Sequence, residues 1–282
     1  MIRRTRRRDV VILANSVFAW CVILALSSPM LWALLTSFKP KNETMTFPVT
    51  VWPDHLTLDA YSRLLFNTSF VRLFLNSFYV AVGTMAVVLI AATLGAYGLT
   101  RFRFPGRDLG ATLILFTYFL PSTVIVIPIY LIISGIGLAD TLTGLIIAYT
   151  ALALPFALWL LRVFFETLPR EIEDAARTDG ASRLAIFFEI VLPQALPGLL
   201  SAGLFTFIIA YNEYLFSFVF INTESRRTLP VGVMQITRTS YDVDWNLLMA
   251  AAILMTVPVL AATIGCQRYL LRGFGIGGGV QG

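Results

Sequence analysis

The chain has 282 residues and a formal net charge of +5, with 57 % apolar and only 13 % charged residues. Soluble domains are typically about 45–50 % apolar and about 25 % charged, whereas the mean hydropathy of this chain is +0.79. The composition therefore excludes an ordinary soluble enzyme, and it also excludes a disordered chain, which needs little apolar material and much charge.

Long segments without charged residues alternate with short charged loops along the chain. A helix of about 20 apolar residues crosses the hydrocarbon core of a bilayer, and backbone groups in lipid must be hydrogen-bonded within the segment, which favours helices. The sequence therefore predicts an all-α integral membrane protein with a single transmembrane domain over residues 1–282. We place its six helices at about 11–35, 74–99, 109–133, 141–161, 198–221 and 247–267.

The distribution of lysine and arginine predicts the orientation of these helices. If the N-terminus is cytoplasmic, 14 basic residues lie in cytoplasmic segments and 7 in external ones. Basic residues are enriched in cytoplasmic loops, so both termini are predicted to be cytoplasmic and the first segment to be an uncleaved anchor. The basic excess thus reflects a multi-pass protein of the cytoplasmic (inner) membrane in contact with lipid, and no nucleic-acid partner is expected.

Catalytic motifs are missing from the sequence. His55 is the only histidine, and no phosphate-binding G-x-x-x-x-G-K-[ST] loop is present. Gly273–Gly278 matches G-x-G-x-x-G, but it follows the last apolar segment and no strand precedes it, so we interpret it as a tail. We expect no catalytic residues, no metal ligands and no cofactor bound by this chain.

The long cytoplasmic loop 162–197 predicts a helix–glycine–helix elbow. Pro169 suits the first position of a helix, and Gly180 supplies a left-handed stop. Ser182 caps a second helix, which Pro193 is expected to end. From the residues alone, this elbow is either an amphipathic loop resting on the membrane or a docking element for a cytoplasmic partner.

The same loop carries a specific motif. Asp174-Ala-Ala-x-x-x-Gly180, followed after nine residues by Ile190-x-Leu192-Pro193, resembles the EAA loop of ABC-importer permeases, with Asp174 where glutamate is usual. The segments Arg101–Arg107 and Tyr211–Leu215 are similar to the second permease of maltose-type (carbohydrate) importers.

This resemblance implies a type I importer permease fold and a division of labour. A homologous second permease completes the pathway, an external solute-binding protein delivers the solute, and two ATP-binding subunits bind the cytoplasmic loop and use ATP and magnesium. The chain itself is then not an enzyme. The residues expected to couple to the ATPase subunits are Glu173, Asp174, Ala175, Ala176, Asp179, Gly180, Ala181, Ile190, Leu192 and Pro193.

Glu213 is a carboxylic acid inside the fifth predicted span, where a charge is costly and normally faces protein or water. It lines the substrate pathway, pairs with another polar group, or lies at an interface because the span ends near residue 212. The candidate pathway residues are Tyr118, Ser122, Tyr211, Asn212, Glu213 and Tyr214. The predicted function is a permease subunit of an ATP-driven importer for a sugar or oligosaccharide, the alternative being another solute such as a phosphorylated polyol.

Overall fold

Apolar segments with few helix-breaking residues fold as long helices. The computed structural model describes residues 2–46, 48, 50–238 and 242–273. Regular structure in that part of the chain is helical apart from one isolated bridge between Arg238 and Val243, which confirms the predicted all-α class. The helices are α1 (Ile2–Ser37), α2 (Asp59–Phe66), α3 (Phe70–Arg101), α4 (Arg107–Thr117), α5 (Ser122–Gly135), α6 (Leu142–Thr167), α7 (Arg170–Thr178), α8 (Arg183–Ala185), α9 (Leu192–Gln194), α10 (Leu196–Asn212), α11 (Leu215–Phe220), α12 (Leu229–Ile236) and α13 (Trp245–Gly273).

Four described helices, namely α1, α3, α6 and α13, are long and apolar enough to cross a membrane, and two bent helix pairs bring the number to as many as six. The predicted span 109–133 is not one straight helix, because α4 and α5 meet at an angle of 104°. Pro121 precedes α5 with an extended ψ of 131°. Proline has no N–H to donate to the preceding turn and its ring clashes with that turn, so a helix breaks there.

The fifth predicted span, 198–221, is also interrupted. Helix α10 ends at Asn212, Glu213 has an extended backbone with ψ of 126°, and α11 begins only at Leu215. The Gly275–Gly278 part of the predicted glycine-rich tail lies outside the described residues.

The chain divides into two units, of which one comprises residues 1–69 and 234–256. Within it, the Arg63 guanidinium lies 2.8 Å from the Asp244 carboxylate, and the Asn246 amide donates to the carbonyl of Lys39 at 3.1 Å. Burial alone would raise the pKa of Asp244, but the hydrogen bonds from Arg63 and the Leu247 backbone, together with the positive charges of Arg63 and Lys41, outweigh it, and the pKa lies below its ordinary value. These contacts join α2 to the start of α13.

The other unit comprises residues 70–233 and 257–282, and its core lies where α3, α6 and α10 meet. Small buried side chains line this junction, namely Ala92 and Ala96 of α3, Ala153 and Ala157 of α6, and Ala202 of α10. Helices in lipid associate through close van der Waals packing, which small residues permit. The alanines therefore let the three backbones approach one another.

Loops predicted to share a side of the membrane contact each other within this second unit. On the predicted external side, Asp140 accepts hydrogen bonds from the backbone N–H groups of Asn222 and Thr223, both at 2.9 Å. The hydrogen bonds from the Thr223 hydroxyl and backbone hold the pKa of Asp140 below its ordinary value. On the predicted cytoplasmic side, Arg162 lies 3.2 Å from Asp108.

Gly198 provides a test of this packing. A Cβ at Gly198 would lie 2.7 Å from Cγ of the Phe164 ring, whereas a Cβ at Gly98 would meet nothing within 4 Å. We expect Gly198→Val to destabilise the purified chain by about 1–3 kcal/mol through overpacking. Gly98→Val, with the same β-branched residue in a helix, should change the thermal unfolding midpoint far less. Equal midpoints for the two variants would contradict the packing of α10 on α6.

Candidate functional site

The first arm of the cytoplasmic elbow is α7, and its C-terminus is closed as the sequence predicts. Gly180 has a φ of +86°, in the left-handed region. The N–H of Ala181 donates to the carbonyl of Ala176 at 3.0 Å, and that of Gly180 to the carbonyl of Arg177 at 3.1 Å. These two bonds form a Schellman motif, so the chain reverses sharply at Gly180.

The second arm differs from the helix predicted after Ser182. The Ser182 hydroxyl accepts a hydrogen bond from the N–H of Ala185 at 3.2 Å, as a cap does, but Ile186–Val191 form a π-helix. Pro193 does not end the arm, because α9 continues through it to Gln194. A π turn is wider than an α turn, which relieves the clash between a proline ring and the carbonyl four residues earlier.

A buried ion pair holds the elbow on the end of α3. Nε of Arg101 lies 2.6 Å from Oε1 of Glu173, and the two side chains are only 8 % and 6 % exposed. Arg170 adds a hydrogen bond of 2.7 Å to the carbonyl of Thr100. Glu173 is one of the predicted coupling residues, and its carboxylate points inward to Arg101. Local sequence does not reveal this partner, which lies 72 residues away.

Aromatic side chains also pack the elbow against α3 and α6. The Tyr97 ring lies edge-on to Phe187 of the π-helix, with ring centroids 4.8 Å apart, and edge-on to Phe165 of α6 at 6.2 Å. Ile186 is buried in the same core as Phe165. The elbow is therefore packed against the ends of α3 and α6.

The outer face of the elbow carries the remaining coupling candidates. Asp174, Ala175, Asp179, Gly180 and Pro193 are exposed, whereas Ala176, Ala181, Ile190 and Leu192 are half-buried. Asp174 pairs with Arg177 on the surface at 2.8 Å.

Two exposed apolar side chains, Ile172 and Leu184, lie on the same elbow, and sequence reasoning missed them. A helical face drawn through Asp174 and Ala175 would have included Ile172 as a neighbour.

A second feature is a cavity of about 670 Å³ beside the two helix breaks. Tyr118 and Ser122 line it near the α4–α5 bend, and Glu213 lines it at the α10–α11 break. Ala151 and Pro155 of α6 form part of its wall. Interrupted helices thus place polar groups in this cavity.

Glu213 also has a structural role. Its carboxylate accepts hydrogen bonds from the N–H of Phe216 at 3.0 Å and of Ser217 at 3.3 Å, so it caps α11. The Tyr149 hydroxyl donates to the Glu213 backbone carbonyl at 3.4 Å. Helix α10 ends at residue 212, and the Glu213 carboxylate both caps α11 and lines the cavity.

Three other pathway candidates do not line this cavity. Tyr211 is 1 % exposed and stacks on Phe207 with centroids 5.5 Å apart. The Asn212 amide donates to the carbonyl of Ile208 within its own helix at 2.9 Å. Tyr214 is exposed and stacks on Phe218.

No group of three or more His, Cys, Asp or Glu side chains that could hold a metal ion occurs within the described residues.

Comparison with known proteins agrees with this geometry. Residues 83–275 match the family model described as "Binding-protein-dependent transport system inner membrane component". The inner membrane ABC transporter permease protein YcjP of Escherichia coli is 37 % identical, over 90 % of this chain and 91 % of the relative. The diacetylchitobiose uptake system permease protein NgcG of Streptomyces coelicolor is 33 % identical, over 93 % and 86 %.

A solved structure shares the fold. The crystal structure of a bacterial ABC transporter involved in the import of the acidic polysaccharide alginate contains a chain that superposes with a TM-score of 0.81. The match covers 93 % of this chain and 97 % of the other at 24 % identity. The resemblance seen in the sequence is therefore confirmed, and the chain belongs to the family of inner-membrane permease components of binding-protein-dependent ABC transport systems.

Proposed function

We propose that this chain is the permease subunit of an ATP-driven importer for a sugar or oligosaccharide, in which it forms half of the translocation pathway. The observation that carries the proposal is the elbow, whose inner face is locked to α3 by the Arg101–Glu173 pair. Its outer face is small and exposed at Ala175 and Gly180. Such an element can receive a partner on one side and transmit its displacement to the membrane helices on the other.

The proposed partner at the elbow is an ATP-binding subunit, with two copies serving this chain and a homologous second permease. Ala175 and Gly180 allow a close approach, and Asp174 offers a carboxylate to a basic partner residue. Ile172 and Leu184 add exposed apolar area to the same interface. Hydrolysis of ATP takes place in the partner subunits, with magnesium bound there.

The proposed pathway is the cavity beside Glu213. Hydroxyl and carboxylate groups hydrogen-bond sugar hydroxyls, and Tyr118 presents an aromatic ring to the same space. The relative NgcG is named for diacetylchitobiose uptake, which supports an oligosaccharide as the solute class. None of the described lining residues is basic, and this disfavours the alternative of a phosphorylated polyol.

Gentle purification of the tagged chain from its native membrane tests the assembly. We expect it to bring along two copies of an ATP-binding subunit, one different permease and a sugar-binding protein, identified by mass spectrometry. The subunit ratio of the purified complex checks the proposed stoichiometry. A stable homo-oligomer without ATP-binding subunits would overturn the proposal.

Gly180→Val should uncouple the elbow. A β-branched residue is strained at a φ of +86°, by about 1–2 kcal/mol, so the turn between the arms should open. We expect lost transport and reduced co-purification of the ATP-binding subunit.

Gly106→Val is the matched control, because Gly106 has a φ of +80° in another turn and its Cβ would also meet nothing within 4 Å. This variant should keep the ATP-binding subunit. An equal loss in both variants would show that general strain, rather than the elbow, causes the effect.

Glu213→Gln separates the pathway role of this residue from its capping role. The amide oxygen still accepts from the N–H of Phe216, so assembly should be preserved. A neutral acceptor bonds sugar hydroxyls more weakly, by about 1 kcal/mol, and KM for transport should rise about fivefold. The control is Asn212→Ala, which lies outside the cavity and should leave KM unchanged. An unchanged KM in Glu213→Gln would restrict Glu213 to the cap.

A further inference from the structure

A separate cavity of about 310 Å³ lies between the end of α3 and the elbow. Its walls carry more positive than negative side chains. The charged lining residues are Arg101, Arg170, Arg177, Arg183, Glu173 and Asp174. Four guanidinium groups thus face two carboxylates, which leaves a charge of +2 in a small space.

Two of these guanidinium groups remain without an acidic partner in the described part of the chain. Arg101 and Arg177 pair with Glu173 and Asp174. Arg170 donates to a backbone carbonyl, and Arg183 lies 5.6 Å from the centre of the Phe102 ring. A guanidinium group matches phosphate oxygens in a bidentate fork, so an anion of the phosphate class suits the position.

A separate apolar groove of about 290 Å³ lies beside α3, between it and the second arm of the elbow and the start of α10. It is lined by Leu89, Ile90, Thr93, Leu94, Phe187, Phe188, Leu192 and Leu199. Ile90, Leu94 and Phe188 are 65 %, 55 % and 58 % exposed. A groove of this composition suits a hydrocarbon chain.

The two features lie on one stripe of α3. Ile90, Leu94, Tyr97 and Arg101 follow each other at intervals of four, three and four residues, which places them on the same helical face. At a rise of 1.5 Å per residue, Arg101 lies about 16 Å along the axis from Ile90. The stripe therefore passes from apolar to cationic over a distance comparable to one lipid leaflet.

We propose that this stripe and the elbow bind one anionic phospholipid of the cytoplasmic leaflet. Its phosphate occupies the arginine cavity and one acyl chain follows the apolar groove. Basic pockets at the cytoplasmic membrane surface recognise anionic head groups in this way. A free phosphate ion would leave the groove unused, and an acidic protein segment would fit only the cavity.

The proposed lipid has a mechanical consequence. Arg170 begins the first arm of the elbow and Arg183 begins the second, so one phosphate between them ties the two arms across the Gly180 turn. The proposal requires the elbow to lie at the cytoplasmic surface, and it does not depend on the solute.

The test measures lipid binding to the purified full-length chain by native mass spectrometry. The probes are dioleoyl-phosphatidylglycerol, dioleoyl-phosphatidylcholine and inorganic phosphate. We expect one tightly retained phosphatidylglycerol and little phosphatidylcholine. Arg170→Gln with Arg183→Gln should weaken retention about thirtyfold, since each basic group contributes similarly at a membrane surface. The double variant Arg103→Gln with Arg238→Gln removes the same charge elsewhere and should retain the lipid.

Several results would overturn the proposal. They are equal retention of the two lipids, equal weakening by both double variants, and displacement of the lipid by millimolar phosphate as a simple competitor. If the variant Arg170→Gln with Arg183→Gln fails to fold, Arg183→Gln alone should still weaken lipid binding about fivefold.

The groove has its own variant. Dioleoyl-phosphatidylglycerol should bind the unmodified protein more tightly than the dihexanoyl form. Leu94→Gln should reduce this preference for the long acyl chain and leave the preference for phosphatidylglycerol over phosphatidylcholine unchanged. An unchanged preference for the dioleoyl form in Leu94→Gln would exclude the groove as the binding site of the acyl chain. In the assembled transporter the lipid should persist, and its loss on addition of the ATP-binding subunit would assign the cavity to a protein contact instead.

Discussion

The buried pair of Arg101 and Glu173 is the contact on which the elbow depends. Both side chains are withdrawn from water, so each charge is tolerable only because the other lies 2.6 Å away. Removing one partner from such a pair typically costs about 3–5 kcal/mol, because the other charge is then left buried alone. The pair therefore holds α7 in one position on the end of α3.

Close helix packing connects the elbow to the membrane helices. Alanines at the junction of α3, α6 and α10 bring the three backbones together, and Tyr97 joins this core to Phe187 of the elbow. Packed interiors transmit displacement because they have few voids to absorb it. We therefore propose that a shift of the elbow is passed through this core to α10, which ends beside the cavity at Glu213.

Helix breaks and polar groups coincide in this protein for a physical reason. An interrupted helix leaves backbone groups that need partners, and in a membrane these breaks are tolerated only inside protein or beside a water-filled space. The Glu213 carboxylate caps α11 at such a break, and residues at the α4–α5 bend line the same cavity. The same constraint that positions the acid also opens the cavity.

The helical membrane class, the family and the Gly180 turn could be predicted from the amino-acid sequence. These depend on composition, on a local motif and on local hydrogen bonding, all of which are readable in a short window. The burial of Glu173, the burial of Tyr211 and the 104° bend between α4 and α5 became visible only in the three-dimensional structure. The partner of Glu173 is 72 residues away, and a proline predicts an interruption of a helix but not the angle at which the next helix starts, so neither was visible in the local pattern.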